Sequence, residues 1–426
     1  MHVTRAQIDN IRIIRNFVID LSRDETAGWH VILGDNGSGK STVIRALAIA
    51  LIGRENATAL RQDWSSWLDA KADSGSISLA IRADNSGLDR WTEKGRQSDK
   101  PIRPKVSFSR SSDGNVTPEF SGDLTRRTIW GGGSGWFSSS FGPFRRFRGG
   151  DRDFDKLYYS HPRLAAHLSA FGEDVALSEA LEWIKNAQFR ALEKDATSRA
   201  LTDKLVAFVN SSGLLPHSAT IAEITSSGVM VDNGAGTRVP VEEMSDGYRS
   251  VLSMTFEIIR AMEAAFGTDA LLVALDGEAG QVALPGVILI DEIDAHLHPA
   301  WQKRIGAWFT QCFPHVQFFV TTHSPIICQA AERGSIWRLA APGSNEESGR
   351  VTGLELERLI YGNVLEAYST EYFGTDVTRS RSSRDMLRQL AELNRKSLKG
   401  SLSANEEKQR SALQRRLPST ASDLIE

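Results

Sequence analysis

The sequence predicts an α/β fold: a central parallel or mixed sheet with flanking helices, an antiparallel β portion, a helical insertion and a helical C-terminal region. Three observations carry this reading. Residues 29–33, WHVIL, are a short apolar strand that runs into a glycine-rich loop and then a helix-forming stretch at 41–53, with no gap. Residues 287–292, VILIDE, are an apolar strand ending in two acids. Residues 316–324, VQFFVTTHS, are a further apolar strand with a polar tip. Continuous apolar runs of this length, closed by glycine or polar residues, suit strands buried on both faces of a parallel sheet.

The other elements follow in chain order. Residues 7–21 contain apolar stretches that suit a strand pair, and Gly53 suits the stop of the helix after the glycine loop. Residues 72–118 read as short strands and turns, and 131–150, rich in Gly, Ser, Phe and Arg, as loop. Helical spacing of Leu164, Leu168, Leu181, Ile184, Leu192, Leu205 and Phe208 predicts helices over 162–212. Strands are expected over 219–240 around the turn pair Asn233-Gly234. A helix of about twenty residues should follow Ser245, and another should cover 300–313. These elements divide the chain into an N-terminal lobe (1–150), a helical insertion (151–218), a second lobe (219–345) and a basic helical region (346–426).

With 426 residues the chain has material for two or three domains. Its net charge of −3 does not advertise nucleic-acid binding by the whole molecule. Charge is uneven, however. From Val377 to Leu417 there are 11 Lys/Arg against 4 Asp/Glu, with Leu387, Leu390 and Leu393 on one helix face and a capping box at Ser403–Glu406. This excess suits nucleic-acid binding, a docking surface for a protein, or a solvated helix face. Two cysteines, Cys312 and Cys328, cannot build a disulfide framework or a cysteine zinc site and suit a reducing cytoplasm. No run reaches the ~18 apolar residues of a membrane span.

The chemistry is concentrated at the strand ends. Gly34-Asp35-Asn36-Gly37-Ser38-Gly39-Lys40-Ser41 fits the P-loop pattern in full, in the strand–loop–helix context that the pattern requires. Glycines let backbone N–H groups turn inward around phosphates, and the helix N-terminus adds partial positive charge. Gly34, Asn36, Gly37, Ser38, Gly39, Lys40, Ser41 and Thr42 are the expected nucleotide-binding set. Lys40 would reach the β- and γ-phosphates of ATP, and the Ser41 hydroxyl would ligate magnesium. Asp291 and Glu292 should project from the end of their buried strand, where α/β sheets bind ligands. Asp291 would hold magnesium through water, and Glu292 would polarise the attacking water. His323 would face the γ-phosphate from the third strand end, although a lone His is more often structural. Ser245, with Asp246 and Gly247, opens a long helix. It is either an ordinary N-cap or an anion site.

Taken in order, these four motifs resemble Walker A, signature, Walker B and His switch of the ABC ATPase superfamily. The signature reads Met-Ser-Asp-Gly-Tyr where a transporter would have Leu-Ser-Gly-Gly-Gln, and Glu-Ile-Asp-Ala-His-Leu-His-Pro follows the Walker B strand. Both features resemble the RecF/SMC/OLD branch. The chain is similar to the stand-alone ATPases of bacterial antiphage systems, PtuA of Septu and those of retrons. Those also carry a loop like Phe141-Gly142-Pro143-Phe144-Arg145-Arg146 and a basic helical tail.

The resemblance implies an ABC-type head that dimerises around ATP. Ser245 and Gly247 would contact the γ-phosphate held by a partner subunit. Ala295, His296 and Leu297 would lie on the dimer seam. Gln62 is a candidate Q-loop ligand of magnesium, or equally a surface glutamine. Arg145 either approaches the nucleotide or is an exposed structural arginine. A metal site at His296 and His298 is the poorer reading in this context. The helical stretch between the two halves is too short for an SMC-type coiled-coil arm. The basic C-terminal stretch lacks the acidic strand ends of a TOPRIM nuclease. The expectation is therefore a regulatory ATPase that controls a separate effector, most simply a nuclease, with a RecF-like DNA clamp as the alternative.

Overall fold

The computed structural model describes residues 1–84, 87–89, 100–131, 135–145, 161–172, 178–215, 219–225, 228–277, 280–344, 346–368 and 380–417. It divides the chain into two compact units, Met1–Gly362 and Asn363–Glu426.

Among the described residues the first unit contains three sheets. β1 (His2–Ile11) and β2 (Ile14–Asp20) form an antiparallel hairpin. β3 (Gly28–Leu33) enters the P-loop, and α1 (Lys40–Ala59) leaves it. β4 (Ser74–Arg82), β5 (Arg103–Arg110) and β6 (Val116–Asp123) complete an antiparallel sheet ordered β2-β1-β4-β5-β6. β7 (Ser138–Phe141) follows, then the helices α2 (Ser178–Leu192) and α3 (Ala196–Ser211). β8 (Thr220–Thr225), β9 (Gly228–Asp232) and β10 (Arg238–Pro240) form a small antiparallel sheet, with Asn233-Gly234 between β9 and β10. Next come α4 (Asp246–Phe266), α5 (Thr268–Leu275), β11 (Gly286–Ile290), α6 (Pro299–Cys312), β12 (Val316–Thr322), β13 (Gly334–Arg338), β14 (Gly349–Arg350) and α7 (Gly353–Tyr361). The second unit contains α8 (Arg381–Leu398) and α9 (Ala404–Arg416).

The six-stranded sheet, ordered β14-β13-β3-β12-β11-β7, positions the site. β13, β3, β12, β11 and β7 are mutually parallel, and only β14 runs against its neighbour. Every residue of β3, β11 and β12 is buried, because helices or a second sheet cover both faces. α1 packs against strands of both large sheets. Its apolar residues are therefore not confined to one stripe, and Val43, Ile44, Leu47, Ile49 and Leu51 all enter the main core.

Three sequence expectations differ from the structure here. Gly53 does not stop α1. It takes φ +78 and ψ −179, and the helix resumes to Ala59. The cause is Trp130, whose indole N–H donates to Ala50 O at 2.9 Å and whose ring leaves no room for a Cβ at Gly53. Within 131–150, expected to be loop, Ser138–Phe141 is a strand paired with β11. Its three serines are buried, and their hydroxyls find partners. Ser139 Oγ donates to Ala166 O, while Ser138 and Ser140 Oγ flank the His167 ring at 3.0 Å each. Strand β14 and α7, inside the segment that the sequence assigned to the basic region, lie in the first unit.

Candidate nucleotide site

β3, β12 and β11 are adjacent and parallel, so the sheet brings their C-terminal ends together. Those ends carry the P-loop, the Asp291-Glu292 pair and His323, and this is the rim at which open α/β sheets bind ligands.

The P-loop depends on glycine at specific points. Gly37 and Gly39 have φ of +78° and +99°, in the left-handed range that residues with a Cβ resist. A Cβ at Gly39 would also stand 2.9 Å from Ile14 Cγ1, so the β1–β2 turn supports the loop from beneath. Gly39 is the N-cap of α1, which leaves the helix's first N–H groups directed at the loop. Lys40 Nζ donates to Gly34 O at 2.8 Å and Asp35 O at 2.9 Å. Burial lowers the Lys40 pKa, and the carboxylates of Glu292, Asp291, Asp35 and Asp294 oppose that shift. Lys40 thus lies in the field of the acids on β11. Ser38 Oγ is buried with no partner among the described residues. A buried orphan hydroxyl in a concave glycine backbone, opposite a lysine and a carboxylate pair, fits a magnesium-bound nucleoside triphosphate. A cavity of about 590 Å³ adjoins the loop between Ile13, Asn16 and Ser38 on one side and Ala340, Pro342 and Ser348 on the other.

Asp291 is buried, and its Oδ1 accepts from Thr321 Oγ1 at 2.6 Å. The Glu292 N–H donates to the same hydroxyl at 2.8 Å, so one threonine of β12 orients both acids. Thr322 Oγ1 donates to Asp294 Oδ1 at 2.6 Å. Glu292 has φ +46, which turns the chain sharply out of the strand. His323 is half-buried. Burial lowers its pKa first and Lys40 second, while Asp294, Glu292 and Asp35 pull it back. These neighbours place His323 in the same cluster.

Ser245 is the N-cap of α4 and is exposed, without a side-chain cap bond. Gly247 faces the turn after the acids, and a Cβ on it would stand 3.0 Å from His296 O. The expected signature and the expected seam are therefore in contact. Together they line a cavity of about 730 Å³ with Tyr248, His298, Trp301 and Arg304, and no P-loop residue lines it. Ala295 is half-buried, and His296 is exposed with φ +66. His298 Nδ1 accepts from the Ala300 N–H and so caps α6. Among the described residues no group of three or more His, Cys, Asp or Glu side chains converges as a metal site.

The chain belongs to a family of AAA domains. That family, described as "AAA domain, putative AbiEii toxin, Type IV TA system", matches residues 30–329, from the P-loop strand past the His strand. The chain is 25% identical to a Septu protein PtuA of Bacillus mycoides over 378 residues, 87% of this chain and 45% of that protein. It is 36% identical to a retron Ec83 probable ATPase of Escherichia coli over 99 residues, 23% of this chain and 17% of that one. The chain thus spans less than half the length of either relative. Among solved structures it is similar to an SMC head bound to the C-winged helix domain of ScpA, with TM-score 0.46, 17% identity, and coverage of 83% of this chain and 98% of that one. The family match and the parallel strands whose ends carry the P-loop, the two acids and His323 identify an AAA-family P-loop fold.

Two side chains, each open to two readings from the sequence, have the following positions. Gln62 is half-buried in the loop after the last turn of α1, and that loop follows no strand of the parallel sheet. The strand flanking β11 on its outer side is β7, and the loop from Gly142 to Arg145 follows it. Arg145 is buried rather than exposed, and its guanidinium lies beneath the turn after β11. Arg146, in the same motif, lies outside the described residues. Sequence reasoning misses Thr321, Thr322 and Asp294. The available signal is the polar Thr-Thr tip of an otherwise apolar strand, since buried hydroxyls need partners.

Proposed function

We propose that the chain is the ATP-hydrolysing regulatory subunit of an antiphage defence complex, dimerising around ATP and controlling a separate nuclease effector. The observation that carries the enzymatic part is the convergence of Lys40, Asp291, Glu292 and His323 at one rim. Gly34 to Thr42 bind the triphosphate. Ser41, and Asp291 through water, would hold magnesium, which would supply positive charge to the triphosphate. Lys40 exchanges its loop carbonyls for phosphate oxygens. Glu292 orients and polarises water, and His323 faces the γ-phosphate.

The separate signature cavity supports a shared site. Its helix N-terminus suits phosphate but adjoins none of the chain's own P-loop residues. A second copy in two-fold symmetry supplies a P-loop to each signature at once, with Ala295 and His296 on the seam. The defence role rests on likeness to PtuA and retron ATPases. The test is a reconstitution. The purified chain with ATP and magnesium should hydrolyse ATP and leave DNA and RNA intact. Nucleic-acid cleavage should appear only with a partner encoded beside it. Cleavage by the rigorously repurified chain alone overturns the regulatory reading.

A further inference from the structure

Glu292 has a left-handed backbone, a conformation that a residue with a Cβ adopts only when its surroundings impose it. The surroundings here are two side chains and two backbone bonds, from Ile293 N–H to Thr321 O at 3.0 Å and from Ala295 N–H to Glu292 O at 2.9 Å. On one side the Glu292 N–H donates to Thr321 Oγ1 at 2.8 Å. On the other, Arg145 Nη2 donates to Glu292 O at 2.5 Å, and it also reaches back to Asp291 O, in the same peptide as the Glu292 N–H, at 3.3 Å. Both peptide groups flanking the Glu292 Cα are therefore held, and rotation of either would break a buried hydrogen bond.

Arg145 is an expensive way to hold a turn. Its guanidinium is buried, and burial pushes its pKa down to about 10, against the attraction of Asp291, Asp294 and Glu292. It remains charged at neutral pH. A cation kept in such a place commonly serves something besides stability, because apolar replacements of buried ions are often neutral or stabilising. Arg145 also reaches out of the turn. Nη1 lies 3.5 Å from Met254 Sδ in α4, the helix that begins at Ser245.

We propose that Arg145 and Thr321 are positioning residues for Glu292: they clamp its backbone from both sides, and Arg145 ties that clamp to the signature helix through Met254. The inference rests on reading Glu292 as the acid that polarises water. Thr321 fixes the entry of the turn and orients Asp291 with the same hydroxyl. Arg145 bridges the entry and exit carbonyls, beside the backbone bonds made by Ile293 and Ala295. A shift of α4 at the dimer face then reaches Glu292 within the same chain, by way of one guanidinium.

The test uses the full chain and three measurements: equilibrium ATP affinity, single-turnover hydrolysis rate and thermal melting. Arg145→Gln and Thr321→Val should each lose about tenfold or more in rate, the scale of residues that orient a functional ligand. ATP affinity should change by less than about threefold, because neither residue binds phosphate. Thr321→Ser keeps the hydroxyl and should keep most of the rate. It also keeps the proposal testable if Arg145→Gln fails to fold. The decisive variant is the double Arg145→Gln/Glu292→Gln, which should be no slower than Glu292→Gln alone, because the clamp has nothing left to position. Effects that multiply in the double variant overturn the clamp, as does normal turnover by both Arg145→Gln and Thr321→Val. If Glu292→Gln itself hydrolyses ATP normally, the reading of Glu292 falls and the clamp with it. If Glu292→Gln is inactive and the Arg145 effect multiplies, only the clamp falls.

Discussion

The rim of the parallel sheet and the paired helices α8 and α9 carry charge in opposite ways. At the rim Lys40, Asp291 and Arg145 are each at most 5% exposed, and each is held by a neighbouring strand or loop. In α8 and α9 the charges are largely exposed, and their partners are near in sequence or on the adjoining helix: Arg388 with Asp385, Arg410 with Glu407, Lys396 with Glu406. A buried charge left without its partner costs several kcal/mol. An exposed pair is worth about 0–1 kcal/mol. Single substitutions should therefore be decisive at the rim and nearly silent in the helical pair, where only the summed charge matters.

The largest effect is expected at the P-loop and the Walker B end. Lys40→Ala should abolish ATP binding, because the β- and γ-phosphates lose their cation. Glu292→Gln should bind ATP but lose at least ~100-fold in turnover, the scale of general-base contributions. Equilibrium binding and steady-state hydrolysis separate the two. Normal turnover by Glu292→Gln removes the acid from the mechanism.

A second effect follows from the separation of the signature cavity from the P-loop. Lys40→Ala lacks a working P-loop, and Ser245→Arg fills the signature with a long side chain. Each should be nearly inactive alone. A mixed dimer contains one site with an intact P-loop and an intact signature from different chains, so mixing should restore part of the activity. Hetero-dimers that form and remain inactive argue against a shared site or require both sites to work together, and a tethered dimer with both lesions in one half distinguishes these. If Ser245→Arg alone hydrolyses ATP normally, the signature assignment is lost.

How much of the rim is legible in the sequence follows from the same contrast. β3, β11 and β12 are readable because central parallel strands are apolar throughout and their polar residues collect at one end. β7 reads as loop because its Ser-Ser-Ser-Phe sequence has no apolar pattern. It is a strand through tertiary partners, Ala166 and His167, that lie 27 residues or so along the chain. That misreading leaves the loop bearing Arg145 without a strand to anchor it, so the burial of Arg145 beneath the turn after β11 is not foreseen. Gly53 misleads for a related reason: the residue that lets α1 bend and continue is Trp130, remote in sequence. Periodicity reports which face a segment buries. It does not report a hydroxyl satisfied by another element.

A third effect concerns pH, and it belongs to the buried part of the molecule. His30 is fully buried between Thr26 O and Ser335 Oγ, and burial pushes its pKa down to about 4. His167, between Ser138 and Ser140, is pushed down to about 3 by burial and by Arg163. In the unfolded chain both titrate near the ordinary histidine value of about 6.5. Between that value and the folded one, the unfolded state binds more protons. Stability is therefore fully present above about pH 6.5 and is lost as pH falls through the folded values. Each unit of depression is worth about 1.4 kcal/mol, so melting temperature should drop steadily from pH 7 to pH 4.5. A flat melting profile over that range contradicts the burial of these two rings as neutral imidazoles.

The smallest effect per residue is expected in the helical pair, and it is collective. Between Val377 and Leu417 the 11 Lys/Arg exceed the 4 Asp/Glu by 7, and Arg379 lies outside the described residues. Removing any one of these cations should leave hydrolysis unchanged and alter nucleic-acid affinity only slightly, because each exposed charge is screened. Removing 377–426 together is a different experiment. If the surplus neutralises a phosphate backbone, affinity for DNA or RNA should fall. The slope of log affinity against log salt should become shallower by about 0.9 for every duplex phosphate that the truncated chain no longer neutralises. ATP hydrolysis by the truncated chain reports whether the first unit remains folded. A slope that does not change, with hydrolysis intact, assigns the surplus to a protein partner or to solvent. The contrast between the two regions then narrows to one of burial, without a difference in what they bind.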